Sequence, residues 1–396
     1  MSASEIRTEY TGGKWNLFRL ALKTSLLTLL TLGFYRFWMK TRLRRWFWSA
    51  IRPGGMPLEY TGDAIEKLLG FLMAVVVLAF YIGVVNLILV FLSFTFLHDN
   101  LAAYAASFIG VIPLLFFARY RARRYILART RWRGIRFGLE PAAWAYSLYA
   151  MGQWLLTFLT LGYLYPRQVF NLEKFRTDRT FYGSARLHQG GSWRMLRGAG
   201  FWHMYAAAWS VAVLVALVHL EYLPERGLLW LFPAGMWFLF GFLWFRVHAL
   251  RSMANHKSAG EVALIAAPRM PRVLGIYLLG YTLAYLLLFL FALAVVLAGL
   301  FGAVWLFEVN PHDLVTWQQR VPTWVQMSAY IFLYFSIFIL WSVLHQVFVV
   351  LPLHRHYAQT LTIRNPLALS SIRQRARDHA EEAGGFAEAL DLGAAI

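Results

Sequence analysis

Between Val273 and Phe307 the chain runs without one charged side chain. As a helix rising 1.5 Å per residue, that stretch outruns the roughly 30 Å hydrocarbon core of a bilayer. Water would tolerate it only inside a large protein core, and the rest of the chain cannot build the polar surface such a core needs. Charged residues are 14% and hydrophobic residues 59% of the sequence, and mean hydropathy is +0.52. A soluble domain carries about 25% charged residues. Five more runs have the length and apolarity to span: Leu68–Leu97, Leu101–Ala118, Phe201–Leu220, Leu228–Phe245 and Trp324–Leu351. The expected fold class is an all-α membrane protein of six transmembrane helices in three hairpins.

Two further apolar segments, Trp15–Trp38 and Ala142–Tyr165, are harder to place. Arg19 and Lys23 interrupt the first, and Gly152 and Gln153 sit in the middle of the second. Charge decides. If neither segment crosses, all but Arg226 and Arg320 of the 38 Lys and Arg face one side, the cytosolic side by the positive-inside bias. If both cross, the basic stretches 167–197 and 246–272 and the tail move outside. The two segments are therefore expected to be re-entrant or interfacial helices, with both termini cytosolic. Ile6–Lys14 is polar and the first apolar run lacks a small-residue cleavage site, so no cleavable signal is expected.

Internal repeats point to duplication. Leu27-Thr28-Leu29-Leu30-Thr31-Leu32-Gly33-Phe34-Tyr35 returns as Leu156-Thr157-Phe158-Leu159-Thr160-Leu161-Gly162-Tyr163, and Glu9-Tyr10-Thr11-Gly12 returns as Glu59-Tyr60-Thr61-Gly62. Looser copies of the aromatic–Gly phrase end at Gly138 and Gly183. Small cytosolic β-hairpins are expected in the linkers: 47–51 with 56–60 around Pro53-Gly54-Gly55, 125–130 with 135–137, and 175–177 with 180–182. A helix is expected over Ser370–Ala383. The organisation predicted is a cytosolic N-terminus (1–14), a first repeat unit (15–118), a linker (119–141), a second unit (142–250), a linker (251–272), a third hairpin (273–351) and a basic tail (352–396).

Several of these phrases carry a family resemblance. Thr31 to Trp38, then Arg42-Leu43-Arg44-Arg45-Trp46-Phe47-Trp48, then Gly54-Gly55, then Leu58 to Gly62 resemble the YjgN family of bacterial inner-membrane proteins of unknown function. The resemblance covers about residues 8 to 365 and implies an inner-membrane location, and it implies no chemistry. The second repeat departs from the first, with Tyr165-Pro166-Arg167 where the first has Phe37-Trp38.

Candidate binding residues follow from charge and position. Arg36–Ala50 reads as a basic amphipathic helix with tryptophans, the pattern of an interfacial helix against anionic headgroups. Arg36, Lys40, Arg42, Arg44 and Arg45 there, with Arg119, Arg123 and Arg124 in the next basic run, are the candidate contacts to anionic phospholipid. Gly33, Gly62, Gly138, Gly162 and Gly183 are candidate structural glycines. His98, His219, Glu308 and His312 fall at the outer hairpin ends and could form a polar cluster, although polar caps explain them as well.

The six spans hold no charged residue in their middles, which weakens ion-coupled transport. With no cysteine, thiol chemistry and Cys-ligated zinc are excluded. No catalytic motif is present, so neither an enzyme nor a cofactor is expected. The net charge of +19 belongs to membrane flanks rather than to nucleic acid. Expected partners are the bilayer and its anionic phospholipids, and a homo-oligomer is compatible with this class. Two functions stay open: a transporter or channel for a small molecule or lipid, and a non-catalytic scaffold or lipid-organising protein.

Overall fold

In the computed structural model, the described residues are 5–80, 83–84, 86–97, 100–307 and 321–376. They form two compact units. One comprises Met1–Tyr10, Trp48–Met270 and Tyr357–Ile396, and the other Thr11–Phe47 and Pro271–His356.

The first unit is organised by a sheet that the sequence did not announce. Its strands are β1 (Glu5–Tyr10), β2 (Ile51–Pro53), β3 (Leu58–Tyr60), β4 (Thr130–Trp132), β5 (Ile135–Leu139), β6 (Thr180–Tyr182), β7 (Ala185–Gln189), β8 (Lys257–Ala259), β9 (Val262–Ala266) and β10 (Leu361–Arg364). They pair in the order β2-β1-β10-β9-β8-β7-β6-β5-β4-β3, and all nine neighbouring pairs are antiparallel. The two ends of that order, β2 and β3, are consecutive in the chain, so the sheet is a nearly closed barrel. Chain order and sheet order agree around the ring, and β1 against β10 joins the ends: Glu5 opposes Arg364, Ile6 opposes Ile363, and Arg7 opposes Thr362.

Alternation fills the interior. Trp132, Tyr182, Val262 and Ile363 are buried together, with Ile135, Phe137, Ala185, Leu187 and Leu264 packed against them. Leu369 and Ile372, from the segment after β10, complete this core. The Tyr182 hydroxyl donates to the Trp132 carbonyl at 2.9 Å. Tight turns join β4 to β5, β6 to β7 and β8 to β9. Each has a glycine at positive φ: Gly134 (+77°), Gly183 (+52°) and Gly260 (+59°). At Gly183 a Cβ would also press on the Arg373 carbonyl and the Ile135 side chain. In an antiparallel ring with tight turns at one rim, the helical connections within this unit leave and return at the other.

The connections between strands hold the helices. Between β1 and β2 run α1 (Lys14–Leu30) and α2 (Arg36–Ala50). Between β3 and β4 run α3 (Ala64–Phe80), α4 (Asn86–Leu97) and α5 (Asn100–Ala128). Then come α6 (Ala143–Leu159) and α7 (Tyr165–Thr177), and α8 (Ala199–His219) and α9 (Leu231–Ala254). Last, between β9 and β10, are α10 (Met270–Phe307), α11 (Thr323–His345), a π-helical turn over Gln346–Val350, and α12 (Leu351–Gln359).

In the first unit α8 and α9 pack at very short range. A Cβ on Gly200 would lie 2.5 Å from the Phe245 nitrogen, and one on Gly241 would run into the Met204 backbone. Phe170, Leu196, Phe201 and Phe245 fill the space at the hairpin's base. In the second unit α1 packs on α11 through Ala21, Ile339 and Val343, and Gly280 of α10 meets the Phe348 carbonyl of the π turn.

Three sequence expectations are corrected. The fold is not all-α with small hairpins, because the strands join one ten-stranded sheet; of the three expected hairpins only that of β4 with β5 forms, while β2 pairs with β1, β3 with β4, and β6 with β5 and β7. Their strands also start later than the aromatic runs suggest: 47–50, 125–128 and 175–177 are still helix, in α2, α5 and α7. Among the described residues four helices, not six, are long and apolar enough to cross a membrane: Ala199–His219, Glu225–Ala254, Met270–Leu306 and Thr323–Gln359. Of the run 68–97, the described α-helices are α3 and α4, which have 17 and 12 residues. At 1.5 Å per residue, each is shorter than the roughly 30 Å of hydrocarbon. The run 101–118 is the front of α5, which carries Pro113 and continues into Arg119, Arg121, Arg123 and Arg124. Finally, Pro366–Ser371 is a 3-10 turn and 372–376 is not helical, and the rest of the expected tail helix lies outside the described residues.

The α8–α9 contact makes a direct prediction. Gly241→Leu should destabilise the protein in detergent by about 1–3 kcal/mol, since backbone rather than a movable side chain fills the space. Gly235→Leu, on the same helix with nothing within 4 Å of its Cβ position, should be neutral or stabilising by up to about 1 kcal/mol. Equal thermal midpoints for the two variants would contradict the packing described.

Candidate functional site

The repeated Thr-Leu-Gly phrase builds the same object twice, once in each unit. Each doubtful apolar segment is a helical hairpin, α1–α2 or α6–α7, and not a single helix. The Thr31 and Thr160 hydroxyls donate back to Leu27 and Leu156, both at 2.8 Å, and accept from the backbone N–H of Tyr35 (2.9 Å) and Leu164 (3.3 Å). Gly33 N–H donates to Thr28 O at 2.7 Å, and Gly162 N–H donates to Thr157 O at 2.8 Å. Backbone angles match as well: Leu32 and Leu161 both have φ +50°, followed by Gly33 at +94° and Gly162 at +87°.

A left-handed glycine is ordinary, whereas a left-handed leucine costs about 1–2 kcal/mol. Both leucines are also exposed, Leu32 at 91% and Leu161 at 63%, beside exposed Leu30, Phe34, Phe158 and Leu159. Each hairpin thus ends in a strained tip that presents apolar side chains outward.

Beside each tip lies an apolar cavity. In the second unit it measures about 380 Å³ and is lined by Thr28, Gly33 and Met39 of the hairpin and by Phe335, Phe338 and Ser342 of α11. In the first unit it measures about 420 Å³ and is lined by Thr157 and Gly162, by Tyr205, Ala208 and Trp209 of α8, and by Phe242 of α9. Among the described residues no charged side chain lines either. Both volumes fall in the range of small-molecule sites. In each case the hairpin supplies the same threonine and glycine, while a long apolar helix supplies the aromatic wall.

The expected headgroup residues scatter. Arg36, Arg42 and Arg45 are exposed on α2, with Arg42 over the Tyr35 ring at 5.6 Å, while Lys40 and Arg44 are half-buried. Arg119 is exposed. Arg123 and Arg124 instead serve the interior: Arg124 Nε donates to the Leu139 carbonyl at 3.1 Å, and Arg123 pairs with Glu173 at 3.3 Å. Of the glycines, a Cβ on Gly62 would strike the Tyr60 ring, and one on Gly138 would strike the Phe181 ring. His219 is exposed at the end of α8, and His98, Glu308 and His312 lie outside the described residues. Among the described residues no His, Asp and Glu group could hold a metal ion.

Sequence reasoning missed Glu173. Lys257 (2.6 Å) and Arg176 (2.7 Å) join Arg123 around this carboxylate. Burial pushes its pKa up, but Arg123, Lys257 and Arg176 together outweigh burial and hold it well below the usual carboxylate range. The network ties α5, α7 and β8 together. No local spacing reveals it, because Lys257 is 84 residues from Glu173.

Comparison with known proteins gives one match. Residues 5–287 fit the model of a family described as a bacterial protein of unknown function, DUF898. No curated protein and no solved structure matches.

Glu173→Gln should destabilise the protein by about 3–5 kcal/mol at neutral pH, since three cations lose their shared partner in a low-dielectric site. The folded pKa is depressed, so the carboxylate's contribution is complete above its unfolded value of about 4.3 and disappears as pH falls through the lower folded value. Thermal midpoints of parent and variant should keep a constant gap from neutral pH down to about 5 and converge only below about 4. A gap that closes between pH 7 and 5 would mean that Glu173 does not carry the effect.

Proposed function

Because the chain belongs to DUF898, the bacterial YjgN family of unknown function, and has four helices fit to span a bilayer, we propose that it is a lipid-organising protein of the inner membrane. The observation that carries this reading is the pair of strained leucine tips. In water each tip would be unfavourable twice, through left-handed backbone and through exposed apolar surface worth about 1.5–3 kcal/mol per large side chain. In a lipid leaflet the second cost vanishes and the geometry becomes an anchor.

The hairpins suit an interfacial depth. α1 has 17 residues, about 25 Å, and Lys23 and Arg19 precede Leu30 by about 10 and 16 Å along it. Basic side chains at that distance snorkel to the headgroups while the tip sits among acyl chains. On this reading the rim of tight turns faces the cytosol, with both termini there. The segments between the paired apolar runs, 220–230 and 308–322, carry only Arg226 and Arg320 as Lys or Arg. The repeated hairpins reflect a duplication, and their apolar cavities suit acyl chains better than ions, which favours lipid organisation over coupled transport.

Because the chain has no cysteine, single-cysteine spin labels test this cleanly. In reconstituted vesicles, labels at F34C and F158C should be accessible to oxygen and shielded from a water-soluble nickel relaxant. A label at R133C, in the β4–β5 turn, should show the opposite. Water-like accessibility at both tips would end this reading.

A further inference from the structure

The cavity beside Gly162 is apolar along its lining and basic at one end. On α9, Phe238, Phe242 and Arg246 follow one another at four-residue spacing, so they share a face over about 12 Å. Phe238 and Phe242 line the cavity, as do Ala208 and Ala212 on α8, whose small side chains leave room beside Trp209. Arg246 lies just beyond them toward the base of the hairpin, its guanidinium 5.8 Å from the Phe242 ring centre, and its own side chain is exposed. Arg197, two residues before α8, is linked to the lining through Tyr163, whose ring lies 6.5 Å from that of Tyr205. It donates to the Tyr163 hydroxyl at 2.8 Å and stacks on Trp193 at 4.8 Å. Tyr163 follows Gly162 directly, and Tyr165, also in the lining, is close enough to Arg246 to feel its charge. Among the described residues neither Arg197 nor Arg246 forms an ion pair with a carboxylate. That contrasts with Arg123, Arg129 and Arg176, whose charges are answered by Glu173 or Glu66.

We propose that this groove binds one anionic phospholipid, with its phosphate between Arg197 and Arg246 and one acyl chain laid along Ala208 and Ala212 toward Phe238. The proposal rests on the membrane reading above and adds the ligand class. An ion would have no use for the apolar length, and an uncharged chain would have no use for the two guanidinium groups, whose forks suit phosphate oxygens. The direction fits along α8 and α9, since Arg197 and Arg246 lie nearer the helix ends that join the sheet than Ala208, Ala212 and Phe238 do.

Native mass spectrometry of the delipidated full-length protein, titrated with phosphatidylglycerol, with phosphatidylcholine of the same chains and with oleate, tests this. Phosphatidylglycerol should be retained at least ten-fold more tightly than phosphatidylcholine. R197Q and R246Q should each weaken it about five-fold, the factor that ~1 kcal/mol per cation gives, and leave phosphatidylcholine unchanged. Ala208→Phe, which fills the groove, should weaken both lipids, and R133Q, at an exposed arginine of the β4–β5 turn, should change neither. Equal retention of the two phospholipids, or phosphatidylglycerol binding unaffected in the R197Q/R246Q double variant, overturns the proposal. Oleate binding as tightly as phosphatidylglycerol overturns it too, because a single-chain anion would then suffice. The spin label at F158C reports separately: a lipid-exposed tip without phosphatidylglycerol selectivity removes this site alone, whereas a water-exposed tip removes the membrane placement of the hairpin with it.

Discussion

The pairing of β1 with β10 is the contact on which the first unit depends. Its strands are three to six residues long, and an isolated hairpin of that size is marginal at best. Ten of them become stable by sharing one interior and leaving almost no open edge. The segment after β10 contributes Leu369 and Ile372 to that interior, so the last described stretch of chain is part of the barrel's core. Closure has a topological consequence. With tight turns at one rim, the first unit's helical excursions, α3–α5, α6–α7 and α8–α9, begin and end at the other.

The helices differ in how they meet their surroundings. α8 and α9 hold each other through glycines, backbone against backbone, which is how helices associate where no hydrophobic effect drives them together. The short hairpins behave otherwise: they turn through a strained leucine and leave its side chain outside. Backbone strain repeated at two equivalent positions is a feature that the fold maintains against a cost, and such features cluster where function resides. The apolar cavities beside both turns are the geometric complement of that strain.

Charge is partitioned with the same economy. Arg123, Arg176 and Lys257 surround one buried carboxylate and are thereby fixed as structural groups. Arg129 is similarly engaged by Glu66, to which Tyr125 also donates. Other arginines, such as Arg119 and Arg246, are exposed, and only their surroundings separate them from the structural ones. A run such as Arg119–Arg124 contains both kinds within six positions.

The sequence by itself determined that the chain belongs with a bilayer. It also located the four long apolar helices, the two Thr-Leu-Gly phrases, and the bounds of the basic helix Arg36–Ala50. Hydropathy and local phrases decide these, and both are written in consecutive residues. Part of the sheet was legible too: Pro53-Gly54-Gly55 and Trp132-Arg133-Gly134 mark the turns after β2 and β4, whereas the turns at Gly183 and Gly260 were not read. Only the tertiary structure decided that the strands close into one ring, which arginines face a carboxylate, and where the cavities lie. Each of those depends on pairing across tens to hundreds of residues, Glu5 with Arg364 above all. Strands of three residues carry too little periodicity to specify a partner, so the partner is chosen by the packed interior they share.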